Sequence, residues 1–250
     1  MPKKEIVQLV IDQMSEVQTE HPDLELVLSY SGEMIVQGAI RFSINLEGRT
    51  VKDEYQIEMI VPIDYPDSPP AVRETGKAIP DDFHKFSKSG NLCLGAPIEV
   101  RRVFAQHKTL LGFINLQVIP FLFSYSHFRD YGELPHGDLA HGMPGLLDYY
   151  KNFFRVDAIK VMKLLKLLAD DFTPPLMKCP CDSGKVLQDC HGYKLDELRP
   201  HYSPQAFAVE LRDMIAGAQR LGIRLPERDV MPHRMWKRRE KRRRMAVRHK

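Results

Sequence analysis

The sequence predicts an α+β protein in which an antiparallel sheet is followed by helices and a small metal-binding segment. Three observations predict this class. An amphipathic helical pattern at the start of the chain leads into strand-like runs separated by Gly- or Pro-containing turns. Apolar residues return at helical spacing after residue 109. Three of the four cysteines lie within twelve residues of one another, next to a histidine.

The N-terminal elements follow from the spacing of apolar residues. A helix is predicted over residues 5–20, where apolar side chains recur every three or four residues at Ile6, Val10, Met14 and Val17. Strands are predicted over residues 23–30, 34–46, 51–62 and 71–74. Turns at Ser31-Gly32 and Glu47-Gly48 make the first three strands a meander. The three prolines between Tyr65 and Pro70 exclude a helix or a central strand there.

Helices are predicted again in the second half of the chain. Residues 109–125 have an apolar stripe at Leu110, Ile114, Val118 and Leu122. Pro120 is expected to kink this helix or end it early. Further helices are predicted over residues 146–154, 156–170 and 203–221.

Residues 81–94 show no period and predict a long loop that carries Cys93. Before it, the chain contains Tyr65-Pro66-Asp67-Ser68-Pro69-Pro70. The loop itself contains Phe83-His84 and ends in Gly90-Asn91-Leu92-Cys93-Leu94. This order, over roughly residues 1–125, resembles the ubiquitin-conjugating enzyme (UBC) family. The resemblance implies the UBC-like fold, with an N-terminal helix, a four-stranded antiparallel meander, an active-site loop and C-terminal helices. It also implies that Cys93 carries ubiquitin, or a similar protein, as a thioester.

The sequence departs from that family directly after Phe83-His84, where Lys85-Phe86 replaces a Pro-Asn pair. In the family, this Asn supports the oxyanion of the transition state. We expect the Asn91 side chain, or backbone N–H groups of residues 90–92, to take its place. An imidazolium beside the thiol would lower its pKa from about 8.5. His84, His136 and His141 are the candidates, although His136 and His141 fit equally well as exposed residues of a Gly-shaped loop.

The cysteine cluster has the spacing of a metal site. Cys179-Pro180-Cys181 is followed, after eight residues, by Cys190-His191, and Ser183-Gly184 lies between as a turn. Three thiolates and one imidazole suit tetrahedral zinc. The run resembles the SEC-C zinc motif, and a site with four protein ligands, Cys179, Cys181, Cys190 and His191, is expected to be structural. The alternative is a group of reduced thiols that binds nothing.

Charge is distributed unevenly along the chain. The net charge is +3, but residues 237–250 contain nine Lys or Arg and one Glu, so the remainder is mildly acidic. The basic run predicts either a solvated terminus or an arm for non-specific nucleic acid. We expect no signal peptide and no membrane span, and the thiol pattern indicates a reducing, cytoplasmic setting.

The expected organisation is a UBC-like domain over residues 1–172, a SEC-C-type motif over 173–200, and a helix with a basic helical tail over 201–250. The resemblance implies a thioester-forming transferase, similar to the stand-alone UBC-like proteins of bacterial antiphage (CBASS) operons. There the carried protein is a cGAS-like nucleotidyltransferase; another ubiquitin-like protein and an activating enzyme acting in trans are further expected partners. The alternatives are a non-catalytic UBC-fold binding module, a nucleic-acid binder that uses the zinc motif and tail, and a cysteine protease.

Overall fold

The computed structural model of the chain describes residues 3–86, 88–135, 142–220 and 222–248, with side chains as far as Lys241. The chain forms two compact units that divide near residue 138. The first unit contains a four-stranded antiparallel sheet with helices, and the second contains helices and the cysteine cluster. The mixed α+β class expected from the sequence is therefore confirmed.

The sheet of the first unit is a simple meander. Its strands lie in the order β1–β2–β3–β4 and comprise β1 (Leu24–Leu28), β2 (Met34–Leu46), β3 (Arg49–Val61) and β4 (Ala71–Glu74). Glu47 and Gly48 both have left-handed φ angles, 50° and 83°, which suits a two-residue turn with the twist of the flanking strands. That turn fixes the β2–β3 register, which runs from Leu46 opposite Arg49 to Met34 opposite Val61.

One face of the sheet is buried beneath helices. These are α1 (Lys4–Glu20), α2 (Pro97–Gln106), α3 (Leu110–Phe113), a π-helical segment (Ile114–Val118) and α4 (Ile119–Tyr131). Alternate strand residues enter the core, and Ile40, Tyr55 and Met59 are at most 1% exposed. Helix α1 contributes Val10, Met14 and Val17, as its periodicity predicted.

The π-helical segment explains how the apolar stripe of residues 110–122 stays on one face. Residues four apart drift by about 40° per step around a regular α-helix. The wider π turn at Ile114–Val118 compensates for that drift, so Leu110, Ile114, Val118 and Leu122 are all completely buried. Pro120 does not end the helix, because it lies in the first turn after the π segment, where a missing N–H costs least.

This helical run is also the apolar segment of interest for membrane association. Among the described residues, Leu110–Tyr131 alone is long and apolar enough to cross a bilayer, with a mean hydropathy of 1.2 in its most apolar window. More than half of that window, 56%, is buried inside the protein. Such burial is typical of the core helix of a soluble protein.

The proline-rich turn is tied to two helices by a single side chain. Tyr65 is 1% exposed, and its hydroxyl donates to Gln13 Oε1 at 2.6 Å. The same oxygen accepts the backbone N–H of Leu110 at 2.9 Å. Gln13 therefore connects α1, the proline-rich turn and α3. These hydrogen bonds fix the position of the chain that precedes the Cys93 loop.

The second unit consists of α5 (Gly142–Phe154), α6 (Ala158–Ala169), α7 (Gly192–Leu198), a 3₁₀ turn (Arg199–His201), α8 (Pro204–Arg220), α9 (Glu227–Val230) and α10 (His233–Arg248). Helix α6 contacts both α5 and α8, so it buries Val161 and Leu164 as well as Leu165 and Leu168. Tyr150 of α5 donates to the buried Glu210 of α8 at 2.7 Å. Helices α5 and α6 thus belong with the second unit, whereas the sequence-based division placed them before residue 172.

Candidate functional site

The loop that carries Cys93 lies along the edge of the sheet. Antiparallel bridges pair Arg73 of β4 with Asn91, and Lys85 with Leu92. The Leu92 N–H donates to Val72 O at 2.7 Å, and the Cys93 N–H donates to His84 O at 2.6 Å. Residues 85–86 and 91–93 therefore form two short paired segments that hold Cys93 in a defined place beside β4.

The start of this loop is anchored by an aromatic cluster. The Phe83 ring lies 4.8 Å from that of Tyr125, 5.7 Å from Phe128 and 6.1 Å from Phe121, measured between centroids. All three partners belong to α4. Offset and edge-to-face pairs of this kind stabilise beyond the apolar area that they bury. Phe83 therefore fixes the loop to the core helix just before His84.

A buried ion pair fixes the loop a second time. The Lys85 side chain is 7% exposed; its Nζ donates to Ile79 O at 2.6 Å and lies 3.7 Å from Glu74 Oε2. The Glu74 side chain is completely buried and also accepts the N–H groups of Ala78 and Ile79 at 3.2 Å. The sequence singled out Lys85 only as a departure from the UBC pattern. Its location shows that it holds the Cys93 loop to β4.

Cys93 is half-buried, with its Sγ 3.9 Å from Gly95 O. Burial raises the pKa of this thiol, and a hydrogen bond with the Gly95 backbone opposes that effect only in part. Less thiolate is present at neutral pH than for an exposed cysteine. A reaction at Cys93 therefore needs a base to take the thiol proton.

The backbone donors proposed for an oxyanion are only partly available. The N–H groups of Gly90, Asn91 and Leu92 donate to Phe86 O, Ser89 Oγ and Val72 O, respectively. By contrast, the N–H groups of Leu94 and Gly95 donate to no oxygen or nitrogen within the described part of the chain. The expectation for residues 90–92 is therefore corrected, because their N–H groups already hold the loop to itself and to β4.

The Asn91 side chain is positioned to reach the region of the thiol. Asn91 and Cys93 flank Leu92, which is 4% exposed and enters the core. Alternate residues of an extended segment share a face, so Asn91 and Cys93 lie on the outer face together. Arg73, directly opposite Asn91, shares this face, and its buried Nε has no hydrogen-bond partner in the described residues. Asn91 and Arg73 thus share the outer face with Cys93, and Arg73 Nε lies 4.0 Å from Glu58 Oε2.

Of the three candidate histidines, His84 alone is described. Its φ is 42°, in the left-handed region, and its carbonyl accepts the Cys93 N–H. Its ring makes edge-to-face contacts with Phe83 and Phe121, at 5.0 and 6.5 Å. His136 and His141 lie outside the described residues. A tuning role for any of the three stays a prediction.

The second site is the four-residue cluster in the second unit. The ligand atoms of Cys179, Cys181, Cys190 and His191 all lie within 4.8 Å of one another. The closest separations are 3.2 Å from His191 Nδ1 to Cys190 Sγ and 3.3 Å from the same nitrogen to Cys179 Sγ, followed by 3.4 Å between the Cys181 and Cys190 sulfurs. A tetrahedral ion with bonds of about 2.0–2.3 Å separates its ligands by roughly 3.3–3.8 Å. The four residues can therefore hold a metal ion.

Backbone hydrogen bonds fold the two halves of this cluster together. Lys178 and Val186 form an antiparallel bridge, and the Cys179 N–H donates to Lys185 O at 2.9 Å. Ser183-Gly184 forms the turn predicted between the halves, with Gly184 at φ 79°. Leu187 O then accepts the N–H groups of Cys190 and Gly192 at 3.1 and 2.7 Å. The ligands are thus brought together by the chain's own turns.

The His191 ring is oriented for coordination through Nδ1. Its Nε2 lies 2.9 Å from Phe154 O, the last carbonyl of α5. A carbonyl only accepts hydrogen bonds, so Nε2 carries the proton and Nδ1 presents its lone pair to the sulfurs. Metal-binding histidines generally use their second nitrogen in this way. Phe154 O is a supporting group that the sequence could not indicate, because α5 lies far from His191 along the chain.

The thiols of the cluster have unequal pKa values. Burial raises the pKa of Cys179 well above its usual value. At Cys181, burial acts in the same direction but is outweighed by hydrogen bonds from Ser183 and Cys179, so its pKa is lowered. Three sulfurs and one imidazole nitrogen, with the pKa of one thiol lowered, form a site that a divalent cation could occupy.

Gly192→Ala is expected to weaken metal binding by about tenfold or more, the loss typical of a disturbed supporting group. A Cβ at this position would lie 2.9 Å from Leu187 O, a backbone atom that also holds Cys190 in place. The measurement is competition for the metal against a chelator of known affinity. Gly217→Ala in α8, whose Cβ would have 4.0 Å to its nearest atom, is the matched control and should not change metal affinity. Equal metal affinities of Gly192→Ala and Gly217→Ala would contradict the expected clash between the added Cβ and Leu187 O.

Comparisons with known proteins give no family assignment: no protein-family model, no curated protein and no solved structure matches this chain.

Proposed function

We propose that the protein is a cysteine acyltransferase of the ubiquitin-conjugating type. Cys93 would carry the C-terminal carboxyl group of a partner protein as a thioester and pass it to an amine. The observation that carries the proposal is the placement of Cys93: a half-exposed thiol at the end of a loop held to β4, followed by the Leu94 and Gly95 N–H groups, which donate to no oxygen or nitrogen among the described residues. The helix, meander and proline turn that precede it follow the order that the UBC resemblance implied.

The proposed chemistry has two acyl-transfer steps. In the first, the Cys93 thiol loses its proton to a base, and the sulfur attacks the activated carboxyl group, whose leaving group departs as the thioester forms. In the second, a neutral amine attacks the thioester carbon, the C–S bond breaks and Cys93 leaves as a thiolate that regains a proton. Splitting one difficult transfer into two easier ones is the advantage of covalent catalysis. Activation of the carboxyl group requires ATP and an activating enzyme in trans.

The negative charge on the acyl oxygen requires donors near Cys93. The Leu94 and Gly95 N–H groups and the Asn91 amide are the proposed donors, in place of the Asn that the UBC pattern supplies. The sequence offered His84, His136 and His141 as candidates to lower the thiol pKa, and the same three, in their neutral form, are the proposed bases for the first step. Asn91→Ala should slow transfer without loss of the thioester if the amide acts in the second step, and undiminished transfer would count against it.

The four-ligand cluster is proposed to hold a structural zinc ion in a SEC-C-like motif. Three sulfurs and one imidazole nitrogen match the ligands that zinc prefers, and a site filled by four protein ligands leaves no open position for catalysis. The support is the His191–Phe154 hydrogen bond, which presents Nδ1 to the sulfurs. Elemental analysis of protein purified without chelator should find one zinc per chain.

The biological setting follows from the resemblance to UBC-like proteins of antiphage operons. We propose a bacterial, cytoplasmic protein whose carried partner is a cGAS-like nucleotidyltransferase. The test is intact-mass spectrometry after incubation with ATP and the products of neighbouring genes. An adduct absent from Cys93→Ala supports the transferase, and its mass identifies the partner. The lack of any adduct on folded, zinc-loaded protein would favour the non-catalytic binding module.

A further inference from the structure

The basic C-terminal segment is an ordered helix at its start. Asp170, at the end of α6, accepts the His233 N–H at 2.7 Å and pairs with Lys166 at 2.9 Å. Arg239 pairs with Glu227 of α9 at 2.9 Å. These contacts fix the first turns of α10 to the end of α6 and to α9, within the second unit.

A cavity of about 270 Å³ lies beside this helix start. Trp236, the only tryptophan of the chain, lines it as a half-buried side chain. Three cationic side chains line the same cavity, Lys166, Arg228 and Lys237, together with His233 and one acidic residue, Glu240. Within the described residues, Arg228 and Lys237 form no ion pair. The cavity therefore combines a flat aromatic surface with uncompensated positive charge.

We propose that this cavity, which we name the Trp236 cavity, binds single-stranded nucleic acid, with a base stacked on the indole and flanking phosphates held by Arg228 and Lys237. Base stacking on an aromatic side chain is tolerant of sequence and independent of base pairing. Cations placed around the stacked base bind the backbone phosphates. A duplex keeps its bases stacked on one another and offers none to the indole. Within the described side chains, Arg238 and Lys241 add further positive charge along α10 beyond this cavity.

The chain provides its own probe, because all tryptophan fluorescence comes from Trp236. The full, zinc-loaded chain is titrated with single-stranded oligothymidylate and oligouridylate, a duplex of equal length, thymidine monophosphate and inorganic polyphosphate. Single strands are expected to quench the fluorescence and to bind more weakly as salt rises. Polyphosphate, which has no bases, is expected to compete for the cations without quenching.

Variants separate stacking from charge. Trp236→Leu is expected to lower the affinity for a labelled single strand by about tenfold, the effect typical of losing one stacked base, and to leave polyphosphate binding within about twofold. Lys237→Ala, at an exposed position that leaves the fold intact, should reduce the slope of log K against log salt by about 0.7. Glu240→Gln should tighten binding, because it removes the one negative charge of the cavity.

Three results would overturn the proposal. Saturating single strand without fluorescence quenching would show that no base reaches the indole. Equal losses of single-strand and polyphosphate affinity in Trp236→Leu would show a generic polyanion surface. Binding of thymidine monophosphate as tight as that of the oligonucleotide would assign the cavity to a free nucleotide.

Discussion

Removal of the proposed zinc ion from the Cys179–His191 cluster is expected to unfold residues 177–192 while leaving the sheet of the first unit intact. The segment has few apolar residues of its own, and its ligands approach one another as closely as 3.2 Å, a spacing that a shared cation would stabilise. Structural zinc sites in small peptides contribute about 10–16 kcal/mol at pH 7, which is comparable with the ~5–15 kcal/mol total stability of a domain. Loss of the ion should therefore expose the backbone N–H groups of Cys179, Leu187 and Gly192 to exchange.

Hydrogen–deuterium exchange before and after chelation measures this effect. Peptides that cover residues 177–192 should lose protection, and those that cover β2 and β3 should keep it. Cys190→Ala should purify without metal, whereas Cys93→Ala, which also removes one thiol, should retain one zinc per chain. Undiminished protection of the cluster in protein shown to be metal-free would contradict a structural role for the ion.

Lys85→Met is expected to destabilise the first unit by about 3–5 kcal/mol, the range for breaking one partner of a buried ion pair. The substitution keeps the length of the side chain but removes the ammonium that faces the completely buried Glu74 carboxylate. It also removes the hydrogen bond to Ile79 O. The Cys93 loop should consequently separate from β4 more readily.

The measurement is denaturant unfolding followed by circular dichroism, because the single tryptophan lies in the second unit. Glu74→Gln added to Lys85→Met should recover part of the lost free energy, since the buried charge is then gone. Lys108→Met is the matched control: its pair with Asp67 spans 3.7 Å between exposed side chains and should contribute less than about 1 kcal/mol. Equal losses of unfolding free energy in Lys85→Met and Lys108→Met would show that the Lys85–Glu74 pair stabilises the protein no more than an exposed ion pair does.

The strands of the sheet could be predicted because their sequence signals lie within the strands themselves and in the turns that join them. Alternating apolar residues, β-branched side chains and the Glu47-Gly48 turn predicted β2 over the residues that form it, and β4 likewise. The metal cluster was equally local, since Cys-x-Cys and Cys-His are each short and joined by one turn. Helix α2 was missed, although Pro97 at its start and Glu99 in its first turn are N-terminal helix signals. Three of its ten residues, Ile98, Val100 and Val103, are β-branched, and such residues favour a helix only weakly.

Features that depend on tertiary contacts could not be predicted. The π-helical segment arises because one helix face must stay against the core over four turns, and the sequence pattern gave only the stripe. Ile159 lies three residues before the buried Met162, which at helical spacing favours the core, but it is 36% exposed, because contacts with α5 and α8 turn the buried face of α6 toward Val161 and Leu164. The sequence also could not show that the N–H groups of residues 90–92 are already hydrogen-bonded, because this depends on how the Cys93 loop pairs with β4.

The most direct test of the central claim is the chemical nature of the bond at residue 93. Wild-type protein, Cys93→Ser and Cys93→Ala are incubated with ATP, the candidate partner and the activating enzyme, and analysed by intact-mass spectrometry with and without reductant. If Cys93 forms a thioester, the wild type should carry an adduct that reductant removes. Cys93→Ser should carry either no adduct or one that resists reductant, and Cys93→Ala should carry none. An adduct that persists on Cys93→Ala, or one that resists reductant in the wild type, would contradict the account.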